Sequence, residues 1–433
     1  MPDSLKTPIF AQLPPTFVTQ DFTQIFLACF ALTLGIRLWL KRRHIRFIAS
    51  HREQVPVEFA ERITLDSHRR AADYTIDRNK AAVLGIAIDA GLLLALTLGG
   101  GLAALHAFWA PRLDGLFYGL AMIFSLMLIS GLVDLPLSLY RQFVIEARHG
   151  FNRMTLGLFF ADLLKQSLLG ALIGAPVILA VLWLMGAMGD LWWLYVWLFW
   201  SAFNLLLMFV YPTWIAPLFN KFVPLEEGDM KARVEALLAR CGFRSSGLFV
   251  MDGSKRSSHG NAYFTGFGDN KRIVFFDTLL TRLDPPEVEA VLAHELGHFR
   301  RRHVAKRLVM MFAGSLTFLW LLGQLIDAPW FYAGLGVDAQ NTALALILFF
   351  LVMPVFTFPL TPLMSTLSRR HEFEADAYAA EHAAADDLIR ALVKLYRDNA
   401  ATLTPDPLHS LFYDSHPPAA QRIAHLQQQG SRS

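Results

Sequence analysis

Seven apolar stretches, each about as long as the roughly 20 residues a helix needs to cross a bilayer, constrain this chain more than any other feature. They run near 22–40, 83–109, 115–138, 167–187, 190–211, 305–326 and 341–365. Arg37 blurs the first, and the fifth opens almost directly after the fourth at Gly189-Asp190. With 54% hydrophobic residues, 17% charged residues and a mean hydropathy of +0.39, lipid is the expected main solvent. The 35 phenylalanines and 10 tryptophans suit lipid-facing surface and its interfaces. A net charge of +3 is too small to suggest nucleic acid as a partner. Cys29 and Cys241 offer no disulfide framework. The N-terminus lacks the basic start and short apolar core of a cleaved signal peptide.

Basic residues assign sides. Lys41, Arg42, Arg43 and Arg46 follow the first span, Arg141, Arg148 and Arg153 the third, and Arg300, Arg301 and Arg302 precede the sixth. The other loops hold little beyond Arg112, so the basic segments are expected to be cytoplasmic, with the N-terminus outside and the C-terminus inside. Segment 41–82 mixes charges with regularly placed apolar residues, the pattern of an amphipathic helix or helical hairpin on the membrane surface. Asp89 and Asp134 fall inside spans, where an ionisable group is costly unless it faces water or a partner. A wet interior is one reading, pairing with a neighbouring helix the other.

Within the polar region 212–304, residues 230–242 read as an amphipathic helix closed by Gly242, and 248–251 as a strand. Residues 261–267 and 272–277 read as a hairpin across Gly268-Asp269-Asn270. Its edge is either ordinary structure or a rail on which an extended peptide pairs. The string His294-Glu295-Leu296-Gly297-His298 follows. Asp284, Pro285 and Glu287 mark a helix start, and Val288, Val291 and Leu292 form its apolar stripe. On that helix both imidazoles share a face and reach one zinc ion, with Glu295 beside the water the ion activates.

A catalytic zinc needs a third protein ligand and an open position. The best source is 369–380, read as a helix start just after the seventh span. Glu372 and Asp376 are four apart on one face, so one binds metal while the other orients a histidine, and spacing does not choose between them. Glu374 points elsewhere, His371 is an outside candidate, and a charged helix cap would explain the acids without any metal.

Taken together, His294–His298, Ser368–Asp376, His259–Phe264, Asp414–Pro418, Pro217–Phe222, Ile273–Leu280 and His149–Asn152 resemble the type I CAAX prenyl protease family of integral-membrane zinc metalloproteases. The resemblance implies that Glu372 is the third ligand and Asp376 its partner behind the site. It implies substrate binding at Asn261 and its strand, with His259 alongside, transition-state stabilisation by His416, and support from Arg422. It also implies seven helices enclosing a water-filled chamber, with one zinc ion per chain at the cytoplasmic end.

The expected architecture is therefore a mainly α, polytopic membrane protein with a small α+β zinc-protease region. Residues 1–211 carry five spans and the cytoplasmic segment 41–82. Residues 212–304 carry the hairpin and motif helix, 305–365 spans six and seven, and 366–433 the third ligand. The expected activity is peptide hydrolysis with Glu295 as base, on peptide or protein substrates that include prenylated ones. A heat-shock-type quality-control protease would have about two spans before the motif rather than five. A channel or transporter with structural zinc would use the membrane aspartates but has no need of Glu295. Compact loops and the plain C-terminal Gln-Gln-Gly-Ser-Arg-Ser suggest a bacterial inner membrane with a cytoplasmic site, the endoplasmic reticulum being the alternative.

Overall fold

The computed structural model describes residues 15–265 and 272–430. The sixteen α-helices are α1 (Pro15–His51), α2 (Leu65–Leu96), α3 (Gly101–Trp109), α4 (Gly115–Tyr140), α5 (Leu156–Ala187), α6 (Trp192–Val210), α7 (Asp229–Arg240), α8 (Asp277–Leu280), α9 (Pro285–Arg300), α10 (His303–Leu325), α11 (Pro329–Ala333), α12 (Thr342–Thr357), α13 (Thr361–His382), α14 (Ala385–Asp398), α15 (Pro407–Tyr413) and α16 (Ala419–Gly430). Strands β1 (Phe222–Pro224), β2 (Gly247–Met251), β3 (Ala262–Thr265) and β4 (Arg272–Phe276) complete the fold. Among the described residues, seven helical segments are long and apolar enough to cross a membrane: Val18–His51, Leu65–Leu96, Gly115–Glu146, Leu156–Ala187, Gly189–Leu218, His303–Leu325 and Thr342–His382.

The expected spans all recur, with three differences of outline. The second expected span, 83–109, is interrupted: α2 stops at Leu96, Gly100 turns the chain at φ +77°, and α3 is a separate short helix. A left-handed φ costs glycine little, so the break is cheap there. Segment 41–82 is not a separate element but extends two spans into a helical hairpin, one of its two expected forms. Its first part continues α1 to His51, and its second begins α2, capped by Thr64 accepting from the Ser67 N–H at 3.2 Å. The two extensions pack as a hairpin, tied by two 2.8 Å bonds from Arg52 to Asp73. Residues 369–380 are not a helix start but the middle of α13, which removes the charged-cap explanation of their acids.

The spans enclose a chamber. A cavity of about 710 Å3 is lined by Arg37, Asp89, Asp134 and Tyr413. A second, of about 1160 Å3, shares Tyr413 and reaches Lys41, Arg78, Glu146, His259 and Asp414. Both membrane aspartates thus face internal space, and Asp134 accepts from the Ser138 hydroxyl at 2.7 Å.

The sheet runs β1-β2-β4-β3, with β2 parallel to β4 and β3 antiparallel to it, leaving β3 at an edge. The expected hairpin is therefore present, though its turn residues 268–270 lie outside the described residues. Strand β1 adds a partner that the sequence reading lacked. Below the sheet, α7, α9, α13, α14 and α16 share an apolar core that includes Leu237, Val288, Leu292, Leu296, Leu392 and Leu426. Each such side chain stabilises the fold by about 1.5–3 kcal/mol on burial.

At Gly297 the helices α9 and α13 nearly touch. A Cβ there would sit 2.9 Å from Ala375 Cα and 3.1 Å from Ala375 O, so backbone itself would have to move. Gly297→Ala gains about 1 kcal/mol of helix propensity but forces the helices apart, at about 1–3 kcal/mol for overpacking. The expected outcome is a lower unfolding temperature and weaker metal retention, read by thermal melting and metal content of the purified protein.

Candidate metal centre

The motif lies in α9, whose start is set by a capping box: the Glu287 carboxylate accepts from the Asp284 N–H at 2.9 Å. His294 and His298 project from one face, as residues four apart on a helix must. Their Nε2 atoms lie 3.3 Å apart, and Glu372 from α13 sets Oε2 3.5 Å from His294 and Oε1 3.5 Å from His298. One ligand atom from each of these three residues falls within 4.8 Å of the others, close enough to share an ion.

The hydrogen bonds behind the imidazoles fix which nitrogen faces inward. His294 Nδ1–H donates to Asp376 at 2.8 Å, so its Nε2 carries a lone pair. His298 Nδ1 meets His303 Nδ1 at 2.9 Å, and His303 Nε2 meets Glu374 at 3.0 Å. The carboxylate only accepts, so His303 donates to Glu374 from Nε2 and accepts from His298 at Nδ1. His298 Nε2 is then also a bare lone pair. Two lone pairs at 3.3 Å repel unless a cation lies between them, and Glu372 Oε2 is buried with no hydrogen-bond partner. The donor set therefore fits a metal ion, and two nitrogens with one carboxylate oxygen are the ligands of a hydrolytic zinc site.

Electrostatics point the same way. Desolvation and the Arg422 charge push protonated His294 down, but Asp376 and Glu372 outweigh them and hold its pKa up at about 9. His298 is pushed down to about 3 by burial and by the neighbouring His294. The centre thus favours one added positive charge held between imidazoles and carboxylates. Arg422, from α16, grips Asp376 with bonds of 2.9 and 2.6 Å, and both side chains are buried. Burial works against its charge, and Asp376 more than compensates, so it stays protonated.

The remaining expected residues gather around this point. Glu295 is half-buried beside His294, and burial pushes its carboxyl above the usual range. His416 Nε2 is 3.5 Å from Glu372, while its Nδ1 contacts the Ser415 hydroxyl at 2.9 Å. Burial pushes His416 down, with Glu372 pulling the other way. Asn261 is exposed just before β3. His259 stacks on Phe151 at 4.2 Å and approaches Glu146 at 3.6 Å, lining the larger cavity. His371, the outside candidate for a ligand, instead stacks on His303 at 4.1 Å and is not among the converging donors. The pair His303–Glu374 escaped the sequence reading, because Glu374 does point away from the centre and acts only through His303. The turn responsible is Arg302, whose φ of +57° folds α10 back so that His303 meets His298.

Residues 44–221 match the family described as CAAX prenyl protease N-terminal, five membrane helices, and residues 224–429 match peptidase family M48. The human CAAX prenyl protease 1 homolog is 33% identical over 461 residues, covering 93% of this chain and 95% of that protein. The Arabidopsis thaliana homolog is 38% identical over 325 residues, 72% of this chain and 75% of its own. The crystal structure of S. mikatae Ste24p superposes with a TM-score of 0.88 at 31% identity, covering 94% of this chain and 99% of that one. These relatives are eukaryotic, so the bacterial inner-membrane expectation is not borne out, and the quality-control and transporter alternatives gain nothing from them. The chain belongs to the CAAX prenyl protease family within peptidase family M48, and is an integral-membrane metalloendopeptidase.

Proposed function

We propose that this enzyme is a zinc endopeptidase that removes the C-terminal tripeptide of prenylated proteins, with His294, His298 and Glu372 holding the ion. The observation that carries the reading is the convergence of two imidazole lone pairs and a partnerless buried carboxylate oxygen next to Glu295. Zinc bound there supplies Lewis acidity, bringing the pKa of water toward neutrality and polarising the scissile carbonyl.

Glu295 takes the proton of the attacking water and passes it to the leaving amine, a task suited to a carboxyl raised by burial. His416 accepts from the Ser415 hydroxyl at Nδ1, which leaves its Nε2–H, beside Glu372, to donate to the developing oxyanion. Asp376 fixes the His294 tautomer and Arg422 fixes Asp376. Substrate lies extended along β3, held through Asn261 and the free strand edge, with His259 at the strand's approach. The prenylated substrate is carried over from what the relatives' names say of them. The active site faces the cytoplasm, a placement supported by the basic residues Arg300, Arg301 and Arg302 beside it.

Zinc-loaded Glu295→Gln protein is expected to keep its metal and lose nearly all cleavage of a farnesylated C-terminal peptide. Wild-type turnover by that variant would refute the mechanism. His416→Ala is expected to lower kcat about 100- to 1000-fold with little change in KM, as measured by steady-state kinetics on the same peptide. His303→Ala removes the support of a ligand rather than the ligand, so zinc affinity is expected to fall about 10- to 100-fold in competition with a chelator.

A further inference from the structure

The larger cavity has a wall whose charges the hydrolytic centre does not use. Lys41, Arg78, Arg141 and Arg256 line it, opposed by Glu146 and Asp414. Arg256 is neutralised, donating to Asp162 at 2.8 and 3.1 Å. Glu146 is engaged by the Tyr74 hydroxyl at 2.7 Å and by His259 at 3.6 Å. Burial holds the Asp414 carboxyl above its ordinary range, and its charge acts on Lys41. Arg78 lies over the Tyr74 ring at 5.3 Å, and neither it nor Arg141 has a carboxylate partner among the described residues. Lys41 meets the His409 imidazole at 2.9 Å and the face of Tyr413, and has no carboxylate within ion-pair distance among the described residues. Lys41, Arg78 and Arg141 thus line the cavity opposite two carboxylates, Glu146 and Asp414.

The sheet says what enters that space. Strand β3 runs from Ala262 to Thr265 with one edge on β4 and the other unpaired among the described residues. Antiparallel pairing is the more stable way for a peptide to add to such an edge. A peptide so paired runs from the Thr265 end toward Ala262, and its C-terminal side passes Asn261 and His259. His259 and Ser257 line the cavity with the cationic wall. Three extended residues span about 10 Å, so a short C-terminal stretch beyond the scissile bond projects into this space.

We propose that Lys41, Arg78 and Arg141 form a subsite for the free α-carboxylate of the substrate, so that the enzyme recognises a chain end. This rests on the reading that substrate pairs with β3 and is hydrolysed at the metal centre. Guanidinium groups suit the task, since they stay charged and bind a carboxylate with two parallel hydrogen bonds. A peptide lacking the terminal charge leaves three like charges facing one another across the cavity.

The test uses full-length zinc-loaded enzyme in detergent and two farnesylated peptides identical but for a C-terminal acid or amide. Wild-type enzyme is expected to prefer the acid by at least 10-fold in kcat/KM, mainly through KM. In Arg78→Gln/Arg141→Gln protein that ratio is expected to fall to about one. Equal cleavage of the two peptides by wild type overturns the subsite, and needs no variant to fold. A ratio unchanged in a variant of normal metal content overturns the assignment to these arginines. Cleavage of neither peptide by wild type overturns the hydrolytic reading itself, and this one with it.

Discussion

The close crossing of α9 and α13 at Gly297 governs the rest of this structure. The imidazoles come from one helix and the carboxylate from the other, so their spacing is the spacing of two helix axes. Glycine lets backbone approach backbone at the level of the site, with Tyr378 and Ala375 filling the contact. The apolar core beneath holds both helices in that relation through Leu296, Ala293 and Ala379. The centre is therefore positioned by tertiary packing of long elements rather than by a loop, which limits how far any ligand can drift.

Around this crossing, charges are buried in pairs that cost energy to desolvate. Asp376 is fully buried and Arg422 nearly so, and such pairs contribute little net stability against an apolar replacement. What they contribute is orientation. Losing one partner of a buried pair costs about 3–5 kcal/mol, so Arg422 cannot leave Asp376, and Asp376 cannot turn from His294. The His303–Glu374 arm does the same for His298. Each imidazole is thus held by a carboxylate, directly in one case and through another ring in the other.

Much of this was legible in the sequence, for identifiable reasons. Span number follows from composition, because lipid leaves few alternatives to an apolar helix. The motif helix was legible because Asp284 and Glu287 form a local capping pair and His294 and His298 obey helical spacing. Spacing alone left Glu372 and Asp376 equivalent; the structure separates them by depth, one facing the imidazole lone pairs and the other the back of His294. The break before α3 was illegible because Gly99-Gly100-Gly101 is as apolar as its surroundings. The roles of His303 and Glu374 depend on a reversal at Arg302, a non-glycine residue in a left-handed conformation that no local pattern announces. Strand β1 is three residues long and gains its identity only from pairing with β2.

Within the last membrane-capable segment, α12 and the ligand-bearing α13 are joined by only a short turn, Phe358–Leu360. Glu372 lies about 18 Å past that turn at 1.5 Å per residue. A tilt of the rod by about 5° would swing its carboxylate by about 1.5 Å, a distance that matters to a coordinated ion. Helices tilt to match the thickness of the bilayer around them. A change in membrane thickness would therefore act on this centre as a torque, resisted where α9, α14, α15 and α16 pack along the lever arm, and lipid composition would become a mechanical input to a chemical site.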